Sequence, residues 1–133
     1  MQRLGKVAEA LGPDFPIAVE THAMLNGPVA IEMARRIAAM GINCMWYEEP
    51  AGPKFPDVIA DIRRRIPLPV CVGERLHSRF MCRPVLERQA ADVLMPDIQP
   101  RIINRTDGLQ LWHTPHGRSC DAGSSAAFAP QGA

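Results

Sequence analysis

The chain has 133 residues, of which 47% are hydrophobic, and a formal net charge of +1. That length suits one domain and that apolar content supports a core, which speaks against disorder throughout. The near-zero charge gives no reason to expect nucleic acid or an anionic membrane as partner. No apolar run approaches the roughly 20 residues of a membrane span, and the opening MQRLGKVAEALG has no signal-peptide apolar region. The expectation is a soluble, cytoplasmic protein.

The chain then alternates between two patterns. A short apolar run at 15–22 (FPIAVETH) leads into a helical stretch from Pro28 to about Met40, with Ile31, Ala34, Ile37 and Ala38 on one face. Pro28 suits a first helical position and Gly41 a stop. The second run, 43–49 (NCMWYEE), ends at Pro50. It is followed by a helix over 55–66 with Val58, Ile59, Ile62 and Ile66 at helical spacing and Arg63, Arg64 and Arg65 largely on the solvated side. A third run, 69–74 (PVCVGE), precedes a helix expected from about Pro84 to Gln89, and a fourth run occupies 91–98 (ADVLMPDI). Short, continuously apolar runs separated by helices are the signature of buried parallel strands in βαβ units. The fold class expected is α/β, a partial (β/α) barrel of about four units.

Of the four cysteines, Cys44, Cys71, Cys82 and Cys120, none forms a C-x-x-C pair, so neither a zinc knuckle nor a redox pair is signalled. Cys44 and Cys71 lie in apolar runs and read as small buried hydrophobes. Trp46 and Tyr47 read as packing residues. The two lysines, Lys6 and Lys54, end no strand, which disfavours a Schiff-base aldolase. No glycine-rich phosphate loop is present, which disfavours a nucleotide enzyme.

The regularity that carries function is the placement of acids. Glu20, Glu48, Glu74 and Asp97 each fall at the end of a run, in steps of 28, 26 and 23 residues. In a (β/α) barrel the carboxyl ends of the strands face one mouth, where active sites are built. Adjacent strands lie about 4.8 Å apart, so Glu20, Glu48 and Glu74 can converge on one divalent cation. Without it, three like charges so close would raise one another's pKa. All-oxygen ligands favour Mg²⁺ over zinc or copper. The competing explanation, an acid serving as helix N-cap or loop charge, suits one such residue better than four in register, and Glu is a poor N-cap.

The segments VETH (19–22), WYEEP (46–50), VGERLHSRF (72–80) and ADVLMPDI (91–98) resemble the barrel domain of the enolase superfamily, in its mandelate racemase and muconate lactonizing enzyme-like branch, closest to acid-sugar dehydratases of galactonate and gluconate type. The resemblance covers about residues 1–98. It implies that Glu48 and Glu74 are metal ligands, with Glu20 standing where the family commonly has Asp. It implies further that Asp97 orients a histidine base on the next strand and that His22, sharing the pleat direction of Glu20, is the general acid. Arg75 and Arg79 become contacts for a substrate or a ligand carboxylate, with surface salt bridges as the alternative. The chemistry implied is dehydration of an aldonate or aldarate: a cation on the substrate carboxylate makes α-proton loss feasible, and His22 protonates the departing β-hydroxyl. A racemase or epimerase of the same superfamily is the alternative, and a non-catalytic remnant or interaction module is a third reading. Family members of full length are expected to be homo-oligomers acting on a small sugar acid.

After Ile98 the resemblance breaks. The family would continue with a Gly-Gly turn, a helix and a strand ending in Pro-His. Residues 99–133 instead form a stretch rich in Gly, Ser, Pro and Arg without sustained period, expected to be irregular. Pro115-His116 comes too early and lacks an apolar strand before it. The domain division expected is therefore a partial barrel over 1–98 and an irregular tail over 99–133. Codons for QLWHT can, one base earlier, spell the helix that the family has there, so an out-of-frame tail is a hypothesis that the nucleotide sequence tests. With an eight-stranded barrel incomplete and two parallel edges open, the isolated chain is expected to be marginal in stability and to show no turnover alone.

Overall fold

The computed structural model describes residues 1–96. Asp97, Pro115-His116 and the tail lie outside the described residues.

An amphipathic helix, α1 (Gln2–Leu11), opens the chain, where the sequence showed only the lack of a signal peptide. Leu4 and Ala8 rest on the core, and Gly12, at φ 89, donates to Ala8 O to close the last turn. The rest alternates as expected: β1 (Ile17–Glu20), α2 (Gly27–Ala39), β2 (Cys44–Glu48), α3 (Pro56–Arg65), β3 (Val70–Val72), α4 (Arg79–Glu87) and β4 (Val93–Leu94). All three strand pairings are parallel and run in chain order, β1-β2-β3-β4. This is the arrangement from which a barrel wall is built.

The helices begin where the sequence supplies caps. Asn26 accepts from the Val29 amide at 3.1 Å to start α2, with Pro28 in the first turn, and Gly41, at φ 66, follows its end. The fourth helix departs from expectation. Ser78 caps it by accepting from the Met81 amide, so α4 begins well before Pro84 and carries that proline inside. Pro84 lacks the donor for a helical hydrogen bond, a local cost that the Ser78 cap and the burial of Cys82 and Val85 offset.

The alternation of side chains across each strand divides the sheet into two faces. Ile17, Val19, Tyr47, Val70, Val72 and Leu94 join the core with Ala30, Ile31, Ala34 and Ile37 of α2, Ile59, Ala60 and Ile62 of α3, and Val85 of α4. Each fully buried isoleucine there contributes about 1.5–3 kcal/mol relative to exposure. Cys71 is buried and Cys44 half-buried, the latter a partial departure from the expected burial. On the opposite face Glu20 pairs in register with Glu48, and Glu48 with Cys71.

Arg63 is not simply solvated. Its Nε and Nη2 donate to Asp92 Oδ1 at 3.0 and 2.7 Å, its Nη1 to Gln89 O at 3.0 Å, and Asp92 Oδ2 accepts from the Val70 amide at 2.9 Å. This strut joins α3 to the entrance of β3 and β4. Arg64 and Arg65 do face solvent, paired with Asp61 one turn back. Replacing Asp92 by Ala strands a part-buried guanidinium and a strand amide, and is expected to cost about 2 kcal/mol. A urea titration checks it through a lowered midpoint at unchanged slope.

Candidate metal centre

The site is built at the carboxyl ends of β1, β2 and β3. Glu20 and Glu48 are the last residues of their strands and are register partners. Glu74 lies just past the end of β3 in a turn closed by the Leu76 amide donating to Gly73 O at 2.8 Å. The sequence placed Glu74 on the strand itself; the structure puts it in the turn beyond, which carries it toward Glu20.

His22 reaches the site by a route that pleating did not foresee. It lies beyond β1, and both His22 and Ala23 hold left-handed backbone, φ 50 and 56. Such conformations cost non-glycine residues energy and recur at functional sites. The turn is held by the Ala23 amide on Glu49 O at 2.8 Å and by the Thr21 hydroxyl, which donates to Glu49 O at 2.9 Å and Glu48 O at 3.2 Å. The backbone N–H of His22 donates to Glu20 Oε1. His22 Nδ1 lies 3.6 Å from Glu20 Oε1 and 3.4 Å from Glu74 Oε1. One donor atom each of Glu20, His22 and Glu74 thus lies within 4.8 Å of the others.

Glu48 borders this group from the side. Its Oε2 accepts from the Trp46 indole N–H at 2.9 Å, so Trp46 orients a carboxylate as well as packing. Burial raises the Glu48 pKa above its ordinary 4.5, opposed by the Trp46 bond and reinforced by the neighbouring Glu20 and Glu74 carboxylates. The hydrogen bond from Arg75 lowers that of Glu74, helped by His22. The guanidinium of Arg75 lies with Nε 3.3 Å from Glu74 Oε1 and donates from Nη2 to His22 O at 2.9 Å. Arg75 therefore bridges two site residues. Arg79 opens α4, its guanidinium carbon 5.0 Å from the centre of the Phe80 ring.

The sequence reading missed Glu49. It is fully buried, in left-handed backbone at φ 43, with Oε1 accepting from the Gly73 amide at 2.8 Å. Burial pushes its carboxyl pKa up, against the pull of the Gly73 bond. Its signal in the sequence was the second acid of Glu-Glu-Pro, a motif used only for its first.

The donor set fits a divalent cation. Two carboxylates, of Glu20 and Glu74, converge with the His22 imidazole, Glu48 stands beside Glu20, and like-charge repulsion adds to the burial that penalises ionisation of Glu48. A consequence follows for pH. For Glu48 and Glu49 the folded pKa is raised, so the folded chain binds more protons than the unfolded one above 4.5, and stability falls as pH climbs through the folded values. Glu74 is depressed, so its contribution is present above 4.5 and lost as pH falls through its lowered value. As pH rises above the ordinary carboxylate range the metal-free chain is expected to lose melting temperature, and saturating Mg²⁺ to flatten or invert that slope by holding the carboxylates ionised. Thermal melts with and without Mg²⁺ check it.

Residues 1–101 match the family model described as enolase C-terminal domain-like. The chain belongs to that family. Among its relatives, the D-galactarolactone cycloisomerase of Agrobacterium fabrum is 35% identical over 95 residues, covering 71% of this chain and 25% of the relative. The L-talarate/galactarate dehydratase of Salmonella typhimurium is 30% identical over 120 residues, covering 89% of this chain and 29% of the relative. Among solved structures, the L-talarate dehydratase of a Polaromonas species, complexed with Mg and L-glucarate, superposes with TM-score 0.70 at 30% identity, over 76% of this chain and 28% of that one. A racemase from Streptomyces coelicolor with bound magnesium gives TM-score 0.68 at 27% identity, over 72% of this chain and 26% of that one. The four-stranded α/β unit is thus a partial domain of an enolase-superfamily barrel, and the chain spans about a quarter of the length of the relatives it matches. Among the described residues no helix is long and apolar enough to cross a membrane.

Proposed function

We propose that this chain forms the cation-binding wall of a Mg²⁺-dependent sugar-acid dehydratase acting on an aldonate or aldarate. The observation that carries the reading is the meeting of Glu20, His22 and Glu74 within 4.8 Å, with Glu48 in register beside Glu20. Magnesium in the Polaromonas and Streptomyces structures and the sugar-acid dehydratases among the relatives support it. Glu20, Glu48 and Glu74 would hold the ion, which when bound supplies the positive charge that makes loss of an α-proton beside a carboxylate feasible.

The protein's own groups divide the remaining work. The Trp46 indole N–H and the Arg75 guanidinium fix the directions of Glu48 and Glu74. His22, two-thirds exposed at the mouth with Nδ1 facing the carboxylates, is the acid that gives its proton to the departing β-hydroxyl. Asp97 would orient a base. Arg75 is largely engaged with Glu74 and His22, so its contact with substrate would run through those partners; Arg79, at the start of α4, is the second candidate contact for a substrate carboxylate.

Calorimetric titration of the full chain with Mg²⁺ tests the reading, with one saturable site expected. No binding, with the Glu20, Glu48 and Glu74 variants behaving like the unchanged chain, would favour the non-catalytic remnant. Turnover of sugar acids by the chain alone is expected to be absent, because the matched relatives are about four times its length. A racemase remains the second reading, favoured by the Streptomyces racemase; exchange of the α-proton with solvent deuterium without dehydration, in a chain completed to full barrel length, would select it.

A further inference from the structure

We propose that Glu49 is a positioning residue that locks the three ligand-bearing loops into one frame by gripping the backbone amide of Gly73. The proposal rests on the cation-site reading above.

Glu49 is attached to each neighbouring unit by a different group. Its amide donates to Cys71 O at 2.9 Å, and its side-chain Oε1 accepts from the Gly73 amide at 2.8 Å, so two bonds fasten it to the end of β3. Its carbonyl accepts from the Ala23 amide and the Thr21 hydroxyl, which fastens it to the turn that carries His22. Covalently it follows Glu48 and precedes Pro50. One residue therefore connects the loops that present Glu20 and His22, Glu48, and Glu74.

A buried carboxyl is an expensive way to make a fold. Glu49 is 0% exposed, sits in left-handed backbone, and leaves Oε2 without a partner among the described residues. A leucine would suit the surrounding core better, and burying polar groups incompletely satisfied opposes folding. Such unfavourable placements persist where they hold a functional group in place. Gly73 is the residue before Glu74, so the grip on its amide sets where the Glu74 carboxylate starts. Groups that orient metal ligands from behind change metal affinity strongly when removed.

The test uses the full chain, Mn²⁺ as a paramagnetic stand-in for Mg²⁺, and two substitutions. Glu49→Gln keeps an oxygen for the Gly73 amide; Glu49→Leu does not. Expected are a Gly73 amide protected from hydrogen exchange in the unchanged chain and in the Gln variant, and exposed to exchange in the Leu variant. Mn²⁺ affinity is expected to stay within about threefold in the Gln variant and to drop roughly 10–100-fold in the Leu variant. Rescue by Gln separates positioning from bulk stability, and melting curves record the latter. Should the Leu variant not fold, the Gln variant and the Gly73 amide still decide: retained affinity with protection supports the grip, and lost affinity in a folded Gln variant overturns it. A freely exchanging Gly73 amide in the unchanged chain overturns it as well. Equal Mn²⁺ affinity in the unchanged chain and a folded Leu variant refutes the role of Glu49 alone, whereas an unchanged chain that binds no Mn²⁺ refutes the cation site and this proposal together.

Discussion

Substituting Glu74 by Gln is expected to lower Mg²⁺ affinity on the order of a hundredfold while leaving the fold in place, since a carboxylate ligand is lost outright. Gln keeps the shape and length of Glu, so the turn closed by Leu76 N–H on Gly73 O has no reason to change. What goes is a charge. Arg75 and His22 lower the Glu74 pKa, so Glu74 presents full negative charge to a cation at any pH above the acid range. In the metal-free chain its removal also relieves Glu48, whose ionisation Glu74 opposes. The metal-free Gln variant loses the favourable Arg75 and His22 contacts of an ionised Glu74 while relieving Glu48, so its stability at neutral pH should change little even as it binds worse. A large loss of affinity with little change in stability marks a ligand rather than a structural acid. Calorimetry with Mg²⁺ and melting curves without it read the two effects; a variant that binds Mg²⁺ like the unchanged chain would remove Glu74 from the site.

Much of this architecture was legible because strand and helix impose different periods. The runs 15–22 and 43–49 became the shorter β1 and β2, with Glu20 and Glu48 as register partners, which follows from parallel pairing of successive units. The helical face of Ile31, Ala34 and Ile37 became core, with Ala30 joining it and Val58 of α3 left exposed. The start of α4 was misplaced because a proline was given the weight of a first residue, whereas Ser78 offered a cap earlier in the chain.

Illegible were the features that depend on long-range hydrogen bonds or on backbone outside the two regular periods. His22 was expected at the mouth by strand pleat, yet it arrives through two consecutive left-handed residues. Nothing in VETH announces that turn, because its cause lies 27 and 28 residues away, in the Glu48 and Glu49 carbonyls that the Thr21 hydroxyl reaches. Trp46 looked like packing because the indole partner, Glu48, was counted only as a ligand. Glu49 was passed over because one acid per strand end satisfied the pattern. Of the expected ligands, Glu20 and Glu74 meet around His22, an imidazole that fits between two carboxylates that would otherwise repel, while Glu48 stands in register beside Glu20.

Gly73→Ala is expected to be the most damaging single methyl in the described residues. An added Cβ would stand 2.3 Å from Met95 C, 2.5 Å from Met95 O and 2.6 Å from Met95 N. Every one of those atoms is backbone, so no side chain can swing away. The glycine also holds φ 153, which an L side chain rarely adopts, so relief by rotation is closed too. The strands must part: Met95 donates to Val72 O at 2.9 Å just after β4 pairs with β3, and a displacement there breaks the last link of that pairing. Overpacking without escape costs about 3 kcal/mol or more, which for a chain of this size lowers the melting temperature by roughly 10 °C or more. The same shift moves Glu74 and loosens the Gly73 amide from Glu49 Oε1, so Mg²⁺ affinity falls with stability. That joint loss distinguishes Gly73→Ala from Glu74→Gln, in which affinity falls alone. A melting temperature within about 2 °C of the unchanged chain would mean that β3 and β4 do not approach each other as closely as the Gly73–Met95 contact requires.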